Sequence, residues 1–446
     1  MARLILFCPQ IKKVSADTAT GLVVCSGPRR ACCNGKATME NANSPYRRGD
    51  DPFFGLSGDR QWNACIGRQG TEENYVDGYI EAAMELASAI IEKRMYAKRD
   101  TLVMPILYNA RHALELSLKF AINELYEMGV LKNAHPKNHD ILSHWALLQA
   151  GELGDESLRQ HVTALERYVT SLSEIDDDGQ ELRYSENRDG QKSLADRSLA
   201  NIEVIRASLD GLSEVMTQLK YRLLDLAYER ATRSYTAKCS RRDLLEIARM
   251  LPNRSDWCEP AFVEAKAELM KRFSLSGREF SKAVNVIEGN REMRCLIGLE
   301  TNLAHLSDQN ALFAVKQWSR LHPVRTIGDR LGVVDFADLK EIIIGDWQVE
   351  CEINDKILEA LTVDEIAACE AIYYVGRDKE FCEHYEIKLA STKQEHRATG
   401  DLAREVAHLM SKTNFQTAVA QGISKLGRPD LAEKLLTVGG TASQEA

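Results

Sequence analysis

Apolar positions recur at helical spacing through most of this chain. From Asn74 the run YVDGYIEAAMELASAIIEKRMYAK carries apolar residues at i, i+3, i+4 and i+7, which predicts an amphipathic helix. A second helix is predicted over residues 101–131, with Asp100 as its N-cap and Pro105 either delaying its start or kinking it. A turn with His135 and Pro136 follows, then helices over residues 139–150 and 155–173. Residues 174–192 read as a polar loop with a short extended element at 182–184, and a long helix is predicted over 194–236.

Shorter helical units fill the second half. Capping boxes at Ser240 with Asp243, Ser276 with Glu279, and Thr362 with Glu365 mark three helix starts. Residues 240–251, 259–273 and 277–289 form a three-helix cluster, and further helices fall near 309–320, 335–345, 364–375, 378–397, 401–412, 414–426 and 429–437. Residues 341–353 (EIIIGDWQVECEI) are the best strand candidate, and an isolated one. No fixed-period repeat is visible. The expected fold is all-α: an irregular N-terminal arm (1–72), a helical bundle (73–237) and a C-terminal helical domain (238–446).

The helix at 101–131 differs from the rest. Leu107, Leu114, Leu118, Ala121 and Leu125 lie on one side, and Ala113, Leu116 and Phe120 on the other. Between them runs a stripe of Arg111, His112, Glu115 and Lys119, with Tyr108 and Tyr126 in the same sector. Two apolar flanks leave only a slot, so the helix is expected to be covered on both sides. The stripe is either a ladder of i,i+4 ion pairs, worth about 0.2–0.5 kcal/mol each if exposed, or a polar site inside the bundle, where charges cost several kcal/mol unless paired.

Composition narrows the class. Apolar residues make up 44% and charged residues 28%, as in ordinary globular proteins, and no apolar run reaches membrane-spanning length. A net charge of −9 argues against a wholly basic nucleic-acid-coating surface but allows a local basic patch. The 11 Cys include no CxxC pair, so no metal site is expected, and their unpatterned spacing fits a reducing cytoplasm. Residues 1–38 hold Cys8, Cys25, Cys32 and Cys33 and lack helical periodicity. Met39 is therefore read as the natural start, with an upstream extension before it.

No GxxxxGK[ST] loop, GxGxxG turn, GxSxG elbow or HExxH pair is present, so nucleotide-dependent, serine-hydrolase and zinc-protease chemistry lack support and no cofactor is expected. The run Arg111-His112-Ala113-Leu114-Glu115-Leu116-Ser117-Leu118-Lys119 resembles the RHxxELxLK helix of bacterial HEPN-like proteins. His139-Asp140-Ile141-Leu142 is similar to the HDL that opens their next helix, and Leu182-Arg183-Tyr184 to the RY segment beyond it. The resemblance covers residues 74–235, about a third of the chain. It implies a four- to five-helix bundle that commonly forms homodimers, association with RNA, and a place in toxin–antitoxin or antiviral systems, with a partner protein from a neighbouring gene.

Catalytic members of that family are metal-independent ribonucleases with Arg-x(4–6)-His on a late bundle helix. Here the predicted helix at 194–236 contains no His. Arg377 and His384 match the spacing loosely, Arg404 and His408 stand too close, and His139 with His144 makes a poor metal pair. By this resemblance a ribonuclease would use His112 or His139 as acid and base, with Arg111 and Arg183 on phosphate. Tyr184 either packs its ring or joins the stripe at Glu115.

One basic segment remains: Arg230, Arg233, Lys238, Arg241 and Arg242, interleaved with Tyr228 and Tyr235. It suits phosphate contact with base stacking, or it is a solvated hinge between domains. The helices at 259–289, turning at 274–277, match a helix-turn-helix in outline. The leading expectation is an RNA-associated interaction protein of a bacterial stress or antiviral system. The others are an RNA-cleaving toxin and a helical scaffold.

Overall fold

In the computed structural model the described residues are 53–55, 59–67, 70–186, 190–323 and 336–439. The proposed start at Met39 and the Cys-rich segment before it lie outside them. Within residues 1–67, the described stretch holds one 3-10 turn at Arg60–Trp62.

From residue 70 onward the described residues are all-α. Among the described residues the single β feature is an isolated bridge between Glu186 and Lys192. No described helix is long and apolar enough to cross a membrane. Three separate hydrophobic cores follow one another along the chain.

The first core is built on three long helices: α1 (Glu72–Glu92), α2 (Arg99–Glu127) and α6 (Ile202–Ala231). Three short ones, α3 (Ile141–Ala150), α4 (Glu156–Ala164) and α5 (Glu166–Ile175), pack beside them. Ile80, Ala83, Ala87, Leu114, Leu118, Ile122, Leu219 and Leu223 are sealed between the long helices. Each fully buried Leu or Ile contributes about 1.5–3 kcal/mol. Side chains cap the starts: Asp140 accepts from the N–H groups of Leu142 and Ser143, Asp155 from Leu158, and Asn201 from Glu203 and Val204.

Several boundaries differ from the sequence expectation. Asp100 is not a cap, because the helix already begins at Arg99 and runs on through Pro105. Pro105 lies within the first turns, where its missing N–H interrupts one bond rather than a long ladder. The long late helix starts at Ile202, eight residues after the expected point, because Asn201 supplies the cap. It stops at Ala231, where the Thr232 hydroxyl donates to the Glu229 carbonyl and Arg233 turns to φ 62°. The expected extended element at 182–184 is a turn, with the N–H groups of Arg183 and Tyr184 both donating to the Gln180 carbonyl.

The second core comprises α7 (Arg241–Met250), α8 (Pro260–Arg272), α9 (Gly277–Gly289) and α10 (Arg291–Leu296), closed over Leu244, Ile247, Leu269, Phe273, Phe280 and Ile287. The third comprises α11 (Asp308–Leu321), α12 (Phe336–Ala360), α13 (Val363–Arg377), α14 (Tyr385–Thr399), α15 (Leu402–Met410), α16 (Phe415–Lys425) and α17 (Pro429–Thr437). All three expected capping boxes form, at Ser240, Ser276 and Thr362.

The strand candidate at 341–353 is wrong: it lies inside α12. The apolar pattern continues beyond it at helical spacing, and Ile353 and Ile357 both bury. A lone strand would leave its backbone groups without partners. The helix expected at 378–397 breaks at Lys379, with φ 55°, and passes through a 3-10 turn at Cys382–His384 before α14. Helices α13 and α16 approach so closely at Gly376 and Gly422 that a Cβ on either would strike the other helix's backbone.

Candidate functional site

The stripe on α2 is buried at its base and open at its rim. Arg111 and Glu115 are each 2% exposed, well inside the bundle. The Arg111 guanidinium donates to the backbone carbonyls of Asp176 (2.6 Å), Asp177 (2.9 Å) and His139 (2.7 Å), and to the Glu115 carboxylate (3.1 Å). It therefore fastens α2 to the segment before α3 and to the loop after α5. That loop closes on itself through buried Asp176, whose carboxylate accepts from the N–H groups of Glu181 and Leu182. Gly179, at φ 82°, faces Arg111, and a Cβ there would stand 3.1 Å from Nη1.

Glu115 is the centre of the cluster. Its Oε1 accepts from Lys119 Nζ at 2.6 Å and contacts His139 Nδ1 at 2.8 Å, while Oε2 meets Arg111 and lies 4.0 Å from His112 Nδ1. Burial works to raise the carboxyl's pKa, but hydrogen bonds from Lys119 and His139 outweigh it, so Glu115 titrates below the usual range and stays ionised. The His112 ring is edge-on to Tyr79 at 4.4 Å and stacked on Tyr108 at 5.7 Å. Burial there pushes its pKa down against the pull of Glu115, so the neutral imidazole is favoured.

The rim is made by His139, whose side chain is 62% exposed, with Lys119 at 18% and His112 at 25%. Arg183 joins it from the loop. Its guanidinium stands 5.9 Å from the Tyr108 ring and 5.5 Å from Tyr184, while its Nε donates to the Gly179 carbonyl. The structure thus gathers Arg111, His112, Glu115, Lys119, His139, Arg183 and Tyr184 around one stretch of α2. Tyr126, expected in the same sector, is instead exposed near the helix end. Nδ1 of His139 is engaged by Glu115, which leaves Nε2 for solvent. A carboxylate orienting an imidazole is a common acid–base arrangement. Arg111 does not suit phosphate contact, since its hydrogen-bonding groups are spent on the protein.

The basic segment is dispersed. Arg230 lies over the Tyr235 ring at 4.1 Å, and Lys238 pairs with Glu152 at 3.0 Å. Arg241 is 2% exposed and held by Glu292 (2.6 Å) and Glu383 (2.9 Å). Arg233 and Arg242 remain exposed, and Tyr228 packs on Phe381 at 4.8 Å. Of the five cations, Arg241 alone is sealed inside a joint between cores and is withdrawn from any nucleic-acid contact. His144 is buried, with burial lowering its pKa and its Nε2 unpartnered.

A second buried cluster was not legible in the sequence. Arg222 donates to Asp155 at 2.7–3.1 Å and to Glu229 at 2.6–3.0 Å. Asp243 stands beside them and accepts from the backbone N–H groups of Glu156 and Ser240. Burial and the neighbouring Asp155 push the Asp243 carboxyl up to about 7, whereas hydrogen bonds from Arg222 overcome burial and hold Asp155 below its usual value. The one hint in the sequence is the i,i+7 spacing of Arg222 and Glu229. A surface groove of about 670 Å³, lined by Arg167, Thr170, Glu174 and Val215, shares no residue with either cluster.

Compared with known proteins, the chain matches no family model, no curated protein and no solved structure.

Proposed function

We propose that the first bundle is a HEPN-like, RNA-associated domain whose contact surface is the rim formed by His139, Lys119, His112 and Arg183. The observation that carries this reading is the exposed His139 imidazole held by buried Glu115, with Lys119 beside it. Two cationic side chains and two imidazoles around a recessed carboxylate favour a polyanion, and Tyr108 and Tyr184 offer stacking faces next to Arg183. The protein then acts as an RNA-associated interaction protein of a bacterial stress or antiviral system. It works as a homodimer, with a partner encoded by a neighbouring gene.

One feature favours a second reading, metal-independent RNA cleavage. His139 is oriented through Nδ1 and has its Nε2 side open, as an acid–base residue requires, and Lys119 and Arg183 stand ready for phosphate charge. Purified protein incubated with tRNA and mRNA in EDTA separates the two. Binding alone gives a gel shift that weakens steeply as salt rises and leaves the RNA intact. Cleavage gives fragments that vanish in His139→Ala. A protein that neither shifts nor cuts RNA at low salt overturns both.

A further inference from the structure

The third core holds a side-chain cluster remote from the α2 site. Glu370 on α13, His396 on α14 and Glu405 on α15 each place one donor atom within 4.8 Å of the others'. His396 is 5% exposed and Glu370 8%, and His396 Nε2 lies 2.7 Å from Glu370 Oε2. The other ring nitrogen, Nδ1, is buried without a hydrogen-bond partner. The Glu405 carboxylate makes no ion pair or hydrogen bond among the described residues, and the nearby Lys393 is engaged by Asp364 at 2.9 Å.

As an ion pair alone the arrangement is incomplete. An imidazolium has two N–H groups to satisfy, and the site offers an acceptor to only one. A neutral imidazole leaves two carboxylates together in a half-buried place with no cation on them. A divalent ion answers the second problem: it neutralises the carboxylates and takes the lone pair of Nε2, the nitrogen that faces Glu370, with the remaining ring proton on Nδ1. Donors about 2.1 Å from a shared ion stand ~3.0–3.5 Å apart, so small side-chain shifts close the set.

We propose that Glu370, His396 and Glu405 bind a divalent first-row transition metal, cross-linking α13, α14 and α15. Two carboxylate oxygens and one imidazole suit manganese, iron or zinc better than magnesium or calcium, which favour oxygen alone. The remaining coordination positions face the partly exposed Glu405 side and go to water. The ligands are 26 and 9 residues apart on three helices, so no sequence motif announces them.

The test uses the full chain, stripped with EDTA, dialysed and titrated with MnCl2, with free Mn2+ followed by electron paramagnetic resonance. Manganese is the probe because the 11 Cys compete for zinc. Wild type should bind one equivalent that Glu405→Gln weakens by about tenfold or more, and the ion should raise the thermal midpoint of wild type but not of Glu405→Gln. Glu405 has no partner to lose among the described residues, so this variant should fold normally even if His396→Gln does not. Equal binding by wild type and Glu405→Gln, or none at millimolar Mn2+, overturns the site. Binding that survives in a folded His396→Gln overturns the transition-metal assignment.

Discussion

Two buried ionic clusters, each built around an arginine and its carboxylates, sit in and beside the first bundle. In one, Arg111 and Glu115 lie at the bottom of a slot whose rim carries His139, His112 and Lys119. In the other, Arg222 is closed in among Asp155, Glu229 and Asp243. The first sets Arg111 and Lys119 against Glu115 and Asp176, which lies 3.7 Å from Arg111, and opens to solvent through groups that can move protons. The second has carboxylates in excess of its single cation and opens nowhere. Burial of charge therefore does not identify a site in this molecule. What separates the clusters is whether titratable groups reach water, and this is why the first supports a functional reading and the second reads as a joint between α4, α6 and α7.

The joint should give the largest stability effect. Arg222→Ala leaves three carboxylates facing one another without a cation. Removing one partner of a buried pair costs about 3–5 kcal/mol, read as the shift of a urea or thermal unfolding curve. If the loss is under about 1 kcal/mol, water reaches the cluster and the contrast with the α2 slot fails.

The joint should also carry a pH signature opposite in sign to that of the slot, where Glu115 and His112 both titrate below their usual values. The Asp243 carboxyl titrates near 7 when folded, against 3.8 as its ordinary value. The folded state thus retains a proton that the unfolded chain releases. The stability from that proton is complete below pH 3.8 and is lost as pH rises through about 7. Glu383, held near 2 because Arg241 outweighs its burial, acts in the opposite direction but only below its ordinary value of 4.5. Between pH 4.5 and 7, against the opposing pull of His112, His144 and His161, whose burial lowers their pKa values, Asp243 should contribute a slope of up to about 1.4 kcal/mol per pH unit. Asp243→Asn should flatten it and raise the thermal midpoint at pH 8 relative to wild type.

Glu115→Gln comes next. The amide keeps the shape but loses the charge that Arg111, Lys119 and His139 share, at a cost of about 1–3 kcal/mol in urea unfolding. Because His139 also loses its orienting carboxylate, any RNA binding or cleavage should fall further than the stability does.

These two clusters were unequally legible in the sequence. The stripe could be read because Arg111, Glu115 and Lys119 stand i,i+4 on one helix between two apolar flanks, so local periodicity places them together. The convergence of Arg183 followed only through the order of segments, and its contact with Tyr108 belongs to the folded loop. Asp155, Arg222 and Asp243 come from separate helices, and no periodicity links them. The same holds for Glu370 and His396. Helix existence was legible wherever a cap and an apolar period agreed, as at Ser276 and Thr362. It failed at residues 341–353, where a run of Ile suggested β-structure and tertiary burial of Ile353 and Ile357 decided for helix. The basic segment was legible only as a set of charges, because a list of cations does not say which are consumed inside the protein. Arg241 is consumed, and Arg233 and Arg242 are not.

The smallest stability change, and the sharpest test of the contrast, belongs to His139→Ala. Its ring is mostly exposed, and the backbone carbonyl that receives Arg111 survives the substitution. Glu115 keeps Arg111 and Lys119 as partners, so no buried charge is stranded. The unfolding curve should move by about 0.5 kcal/mol or less. If the rim is where RNA is held or cut, the same variant should lose most of that activity. A residue that matters little to the fold and much to the ligand is the behaviour expected of a site, whereas every member of the Arg222 joint should show the reverse. Should His139→Ala unfold the bundle while leaving RNA handling untouched in the molecules that remain folded, both clusters are structural and the functional reading of the α2 slot falls.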